Sequence, residues 1–211
     1  MAQDRIGSSK SRQLAFVVIM SAMGNALAAV TIAPTLFRQI ALDFSSLPVL
    51  IAAVFAGPKV ALLTGLTAGL LPSIYFGFIG GQLGFLGFTT SLGKALQGLV
   101  TAYLVKGAWR SNRSTLTLLP VILIGFLPEA LWIAVVFTVL SPLFLPSLAF
   151  LPTLAVPVIV KGTFEMVVMA FFVAALAGHR GFKSFAQSYL GASSFIARIG
   201  AKEQLNSRKT I

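Results

Sequence analysis

The sequence predicts an all-α integral membrane protein: a bundle of six transmembrane helices with the N- and C-termini cytoplasmic. Of 211 residues, 57% are hydrophobic and only 10% charged, and the mean hydropathy of +0.93 is too high for a water-facing surface. The apolar runs lack the period-2 alternation of barrel strands, and in hydrocarbon every backbone N–H and C=O needs an internal partner, so the runs form helices. Basic residues collect on one side once these runs are placed across a bilayer.

The six spans are read at about Gln13 to Ala33, Phe44 to Gly57, Lys59 to Phe78, Leu83 to Val105, Thr115 to Leu140 and Thr153 to Ala177. Each crossing needs about 20 residues, which leaves no room for a soluble catalytic domain. The chain divides into a cytoplasmic tail (1–12), the membrane domain (13–177) and a basic amphipathic cytoplasmic tail (178–211). The first run follows basic residues and contains Ala26-Leu27-Ala28, which looks like a leader cleavage site; its length favours a retained helix. The second span is short, and Pro48 suggests that it is tilted or partly unwound. Gly57-Pro58 separates the second and third spans, and Ile79-Gly80-Gly81-Gln82 makes a tight turn between the third and fourth.

With the N-terminus inside, Arg5, Lys10, Arg12, Lys59, Lys106, Arg110, Arg113, Arg180, Lys183, Arg198, Lys202, Arg208 and Lys209 all face the cytoplasm. Only Arg38 falls in an outer loop, and Lys94 and Lys161 fall within spans. The net charge of +11 therefore reports topology and contact with anionic inner-leaflet lipid, and nucleic acid is not an expected partner. Beyond Gly178, Phe182, Phe185, Tyr189, Ala192, Ile196 and Ile199 share one helical face, as expected of a helix lying on the inner leaflet or, alternatively, of chance spacing in a disordered tail.

The absence of cysteine excludes disulfides and thiolate chemistry, and the single His179 with five acids argues against a zinc or two-metal enzyme. No cofactor is implied. Lys94, Glu129, Lys161 and Glu165 lie inside apolar stretches, where a charge costs roughly 2.5 to 3.5 kcal/mol or more. They fall at similar depths in the last three spans, and Lys161 and Glu165 are one helical turn apart. Either they touch a substrate or they neutralise one another. Trp132, three residues after Glu129, suits stacking on a heteroaromatic ring, or else packs against protein or lipid.

In the first span, Ala22 and Ala26 form one small-residue pair and Gly24 and Ala28 another, a pattern that serves internal packing or docking of a partner helix. After an outer loop the chain reads Asp43-Phe44-Ser45-Ser46-Leu47-Pro48, then Ala56-Gly57-Pro58, then the small-residue run Gly65-Leu66-Thr67-Ala68-Gly69. This order resembles the substrate-binding S-components of energy-coupling factor (ECF) vitamin transporters. There, a first helix with Ala-x-x-x-Ala precedes an Asp-hydrophobic-Ser-x-hydrophobic-Pro lead-in to helix two and a Gly-Pro turn before helix three. The motifs cover roughly Leu14 to Gly69, and the length and span count cover the whole chain.

The resemblance implies capture of a water-soluble vitamin or precursor on the outer side. It also implies docking through Ala22 and Ala26 onto a transmembrane coupling subunit that carries two cytoplasmic ATPase subunits. Lys94, Glu129, Trp132, Lys161 and Glu165 fall where the family's pocket lies; Arg38 and Phe44 are read with the 141–146 loop as a lid over it, the loop being alternatively a rigid connector, and Tyr75 and Gln82 as further polar contacts. No phosphate-binding Gly-x-x-x-x-Gly-Lys-Ser/Thr segment occurs, consistent with an ATPase on another polypeptide. A self-sufficient transporter relaying protons through the same charges is the competing expectation. An intramembrane lipid enzyme would need a nucleophile–base pair or metal cluster that the sequence does not display.

Overall fold

Every regular element is helical in a computed structural model that describes residues 2–32, 42–80, 83–111 and 115–190. The shortest apolar segment holds the centre. Helix α2 (Ser46–Phe55) is apolar on all sides, and nine of its ten residues are buried; a helix of that kind belongs inside. At 1.5 Å per residue it extends about 15 Å, half of a hydrocarbon core about 30 Å thick. Pro48 sits in its first turn, where no intrahelical N–H is required, so it starts the helix rather than bending it. The second predicted span is thus a buried half-length helix preceded by a non-helical lead-in at residues 42–45.

Longer rods surround it. Helix α1 (Ala2–Ile32) packs on α3 (Pro58–Ala68), which continues through α4 (Leu70–Ile74) and a π-helical turn, Tyr75–Ile79. A short 3-10 turn leads into α5 (Thr89–Ser111), which packs between α3 and α6 (Leu118–Val135). Helix α6 runs into a second π-helical turn, Val136–Leu140, and then α7 (Ser141–Phe144). Helix α8 (Ala155–Gly178) packs on α6, while α2 touches α1, α3, α5 and α8. Helix α1 begins at Ala2, and the stretch of it apolar enough to cross a membrane begins at Lys10.

The Gly57-Pro58 break forms as the sequence suggests. Gly57 has φ +93°, a conformation that costs glycine little and other residues more, and Pro58 begins α3. Between α1 and α3 the contact is polar and close. Ser21 and Thr67 hydroxyls hydrogen-bond, and Asn25 Nδ2 donates to Thr67 O at 3.0 Å. Asn25 Oδ1 accepts the Leu71 N–H at 2.8 Å, just past the break at Gly69. In lipid, such small and polar side chains hold helices together in place of a hydrophobic effect.

Among the described residues, four stretches are long and apolar enough to cross a membrane: Lys10–Ile32, Pro58–Ile79, Thr115–Phe144 and Leu151–Gly178. Their outward faces carry Val18, Phe78, Leu131, Val156, Phe164 and Phe171, each more than half exposed. An apolar surface of that extent fits lipid, not water, and the chain is a multi-pass membrane protein. Helix α9 (Arg180–Leu190) folds back on α1 and α8. Its Phe182 ring meets Phe55 edge-on at 5.1 Å, and Tyr189 lies 6.3 Å from Phe16. Part of the predicted membrane-facing stripe is therefore spent on the bundle itself, and Ala192, Ile196 and Ile199 lie outside the described residues.

A Cβ at Gly65 would fall 2.6 Å from Ala95 Cα and from the Lys94 carbonyl oxygen, so α3 and α5 touch through bare backbone. Gly65→Val is expected to destabilise the protein by about 1–3 kcal/mol or more, seen as a lower melting temperature of the detergent-solubilised protein in scanning fluorimetry.

Candidate functional site

Three helices turn their charged residues toward one space. On α5 Thr90 and Lys94, on α6 Phe126, Glu129 and Ile133, and on α8 Val158, Lys161 and Glu165 recur at three- and four-residue intervals. They line a cavity of about 100 Å³ together with Asp43 of the α2 lead-in and Ser46 at the start of α2. An apolar cluster that includes Phe76, Leu83, Phe137, Leu151 and Leu154, in or beside the 3-10 and π-helical turns, also lines it. All four intramembrane charges predicted from the sequence, and Trp132, thus share one cavity.

Asp43 joins them. Because α2 is short, its lead-in ends inside the bundle, and Asp43 is only 6% exposed. Lys94 Nζ lies 2.9 Å from Asp43 Oδ2 and donates to Ser46 Oγ at 2.9 Å. Asp43 Oδ1 accepts the Ser45 N–H at 2.9 Å, and the Asp43 N–H donates to Glu165 Oε1 at 2.6 Å. Lys161 Nζ lies 3.3 Å from the same Glu165 oxygen. The carboxylates thereby serve two masters: they neutralise lysines and they satisfy backbone N–H groups that the unwound lead-in leaves open.

Glu129 stands apart. It is 7% exposed and lines the cavity, and its Oε2 is buried with no hydrogen-bond partner among the described residues. Trp132 is fixed beside it, with Nε1–H donating to the Thr89 carbonyl at 2.9 Å. A Cβ at Gly93 would lie 3.3 Å from both Glu129 Cγ and Trp132 Cδ1, so the glycine leaves the two side chains their room. Among the described residues no group of histidine, cysteine and carboxylate side chains is arranged to hold a metal ion.

Other predicted contacts are placed elsewhere. Phe44 packs on the main core, and Tyr75 packs with Phe76 at 5.5 Å against Ala28 and Ile32; neither lines the cavity. Arg38 and Gln82 lie outside the described residues. In the loop read as a lid, Ser141 donates to Phe137 O at 2.6 Å, and Phe144 meets Phe85 edge-on at 5.5 Å. Sequence reasoning passed over Asp43, Ser46, Phe76, Phe126 and Met166, of which Asp43 carried a usable signal as one of only five acids. On α1 the two small pairs separate: Gly24 and Ala28 face inward, while Ala22 and Ala26 are exposed in line with Val18.

Lys94→Met strands Asp43 and is expected to destabilise by about 3–5 kcal/mol. Asp43→Asn in the same chain should recover a large part of that loss, because the stranded charge is gone. A double-mutant cycle of melting temperatures in detergent checks it; strictly additive effects would show that the pair is not coupled.

No curated protein and no solved structure matches the chain. The model of the family described as 5TMR of 5TMR-LYT matches residues 2–176, which takes in the bundle from α1 to the last turns of α8. The chain belongs to the 5TMR-LYT family.

Proposed function

We propose that this protein is a substrate-capture subunit of an energy-coupling factor transporter. It spans the cell membrane with six helices, both termini cytoplasmic, and binds a water-soluble vitamin or precursor at an outward-facing site. A transmembrane coupling subunit and two cytoplasmic ATPase subunits then drive its reorientation. The observation that carries this reading is the cavity walled by both signs of charge and by aromatic rings in an otherwise apolar bundle, since intramembrane charges mark substrate and ion paths. The exposed Ala22 and Ala26 add support, because no residue of α1 lines the cavity and a partner helix could approach that face closely.

A second reading, a proton-coupled carrier that works alone, draws on the unpartnered Glu129 oxygen. The two separate in liposomes. Capture predicts vitamin binding by the purified chain, found by a thermal-shift screen, and uptake only when coupling subunits and ATP are added. Uptake by this chain alone under a proton gradient would sink it.

Because Ala22 and Ala26 are exposed, replacing both with Phe is expected to leave folding and vitamin binding intact while lowering co-purification with the coupling subunit by roughly tenfold or more. Loss of vitamin binding instead would assign the pair to internal structure.

A further inference from the structure

We infer that the cavity takes a solute with a cationic centre, an ammonium group or a cationic heteroaromatic ring, bound by the Glu129 carboxylate beside the Trp132 ring. The inference rests on the capture reading and names the chemical class of the cargo. Each lysine already has a carboxylate: Lys94 has Asp43 at 2.9 Å and Lys161 has Glu165 at 3.3 Å. Glu129 is in neither pair. Among the described residues, three carboxylates against two ammonium groups leave one formal negative charge on the cavity wall, and it falls on the residue whose Oε2 has no hydrogen-bond partner among them.

A buried carboxylate in an apolar surround is stable only with a compensating charge or proton. The cavity beside it, about 100 Å³, is several times the space one water needs. An anionic solute would meet an excess of its own sign there. Aromatic surface adds the second element. Trp132 is held by its Nε1–H on Thr89 O at 2.9 Å, and Phe126 and Phe137 also line the wall. Cations are attracted to such rings, most strongly where water is excluded.

The test uses matched probes on the purified full chain in detergent: choline against its uncharged dimethylbutanol isostere, and phenethylamine against phenethyl alcohol, followed by calorimetry. Each cation is expected to bind about tenfold or more tightly than its neutral partner. Glu129→Gln should abolish that preference while melting at or above the wild-type temperature, because it removes an uncompensated charge. Glu129→Asp should keep the preference, which separates charge from shape.

Equal binding of cation and isostere, no binding of either cation, or cation affinity unchanged in Glu129→Gln overturns the inference. A neutral or anionic vitamin that binds wild type and Glu129→Gln alike overturns it too, and leaves the capture reading standing. Uptake by this chain alone under a proton gradient ends both.

Discussion

The ion pair between Lys94 and Asp43 is the contact on which the architecture turns. An ammonium group in the second turn of α5, 3% exposed, has no place in hydrocarbon unless an opposite charge reaches it. The carboxylate that does so precedes α2, and it reaches Lys94 because α2 has only ten residues and begins inside the bundle. A full-length second helix would carry Asp43 to the membrane surface and leave Lys94 alone. The short central helix and the buried lysine therefore require each other. Irregular backbone at membrane depth survives only where protein covers it and satisfies its polar groups, and here Glu165 and Asp43 accept the N–H groups of Asp43 and Ser45.

Around that centre, helix contacts are made by what is small. Gly24 meets Ala68, Gly65 meets the α5 backbone, and Gly98 meets Val49 and Ala61. Lipid tails are as apolar as leucine, so burying a large side chain between helices gains little over leaving it in lipid. Close backbone approach and a few polar links such as Asn25 therefore add to the packing of buried side chains such as Phe55, Leu50, Ile122 and Met169.

Much of this was legible in the sequence. The helical segments, the Gly57-Pro58 break and the grouping of Lys94, Glu129, Lys161 and Glu165, which line one cavity, follow from run length, turn chemistry and a regular 3.6-residue period. What escaped reading has local causes. Asp43 stood in the sequence at the head of the lead-in motif and not among the pocket residues, because the depth of α2 depends on its length, set by where the helix starts. Tyr75 and Phe76 are neighbours at the start of a π-helical turn, where the period shifts, so the sequence could not tell which of the two rings faces the cavity. Phe137 reaches the wall through the second such turn. On α1, two small pairs one turn apart read alike until the packing partner assigned Gly24 and Ala28 to the inside.

The double duty of the acids bears on how a bundle of this kind can diversify. Asp43 and Glu165 hold the lead-in backbone as well as the lysines, so a new residue at either position is tested first for folding. Glu129 Oε2 accepts no hydrogen bond among the described residues, so that oxygen carries no such backbone duty there. Selection can therefore work on Glu129 and its neighbours without renegotiating the scaffold. Sequence drift among relatives should concentrate on that wall, with the lead-in acids held constant.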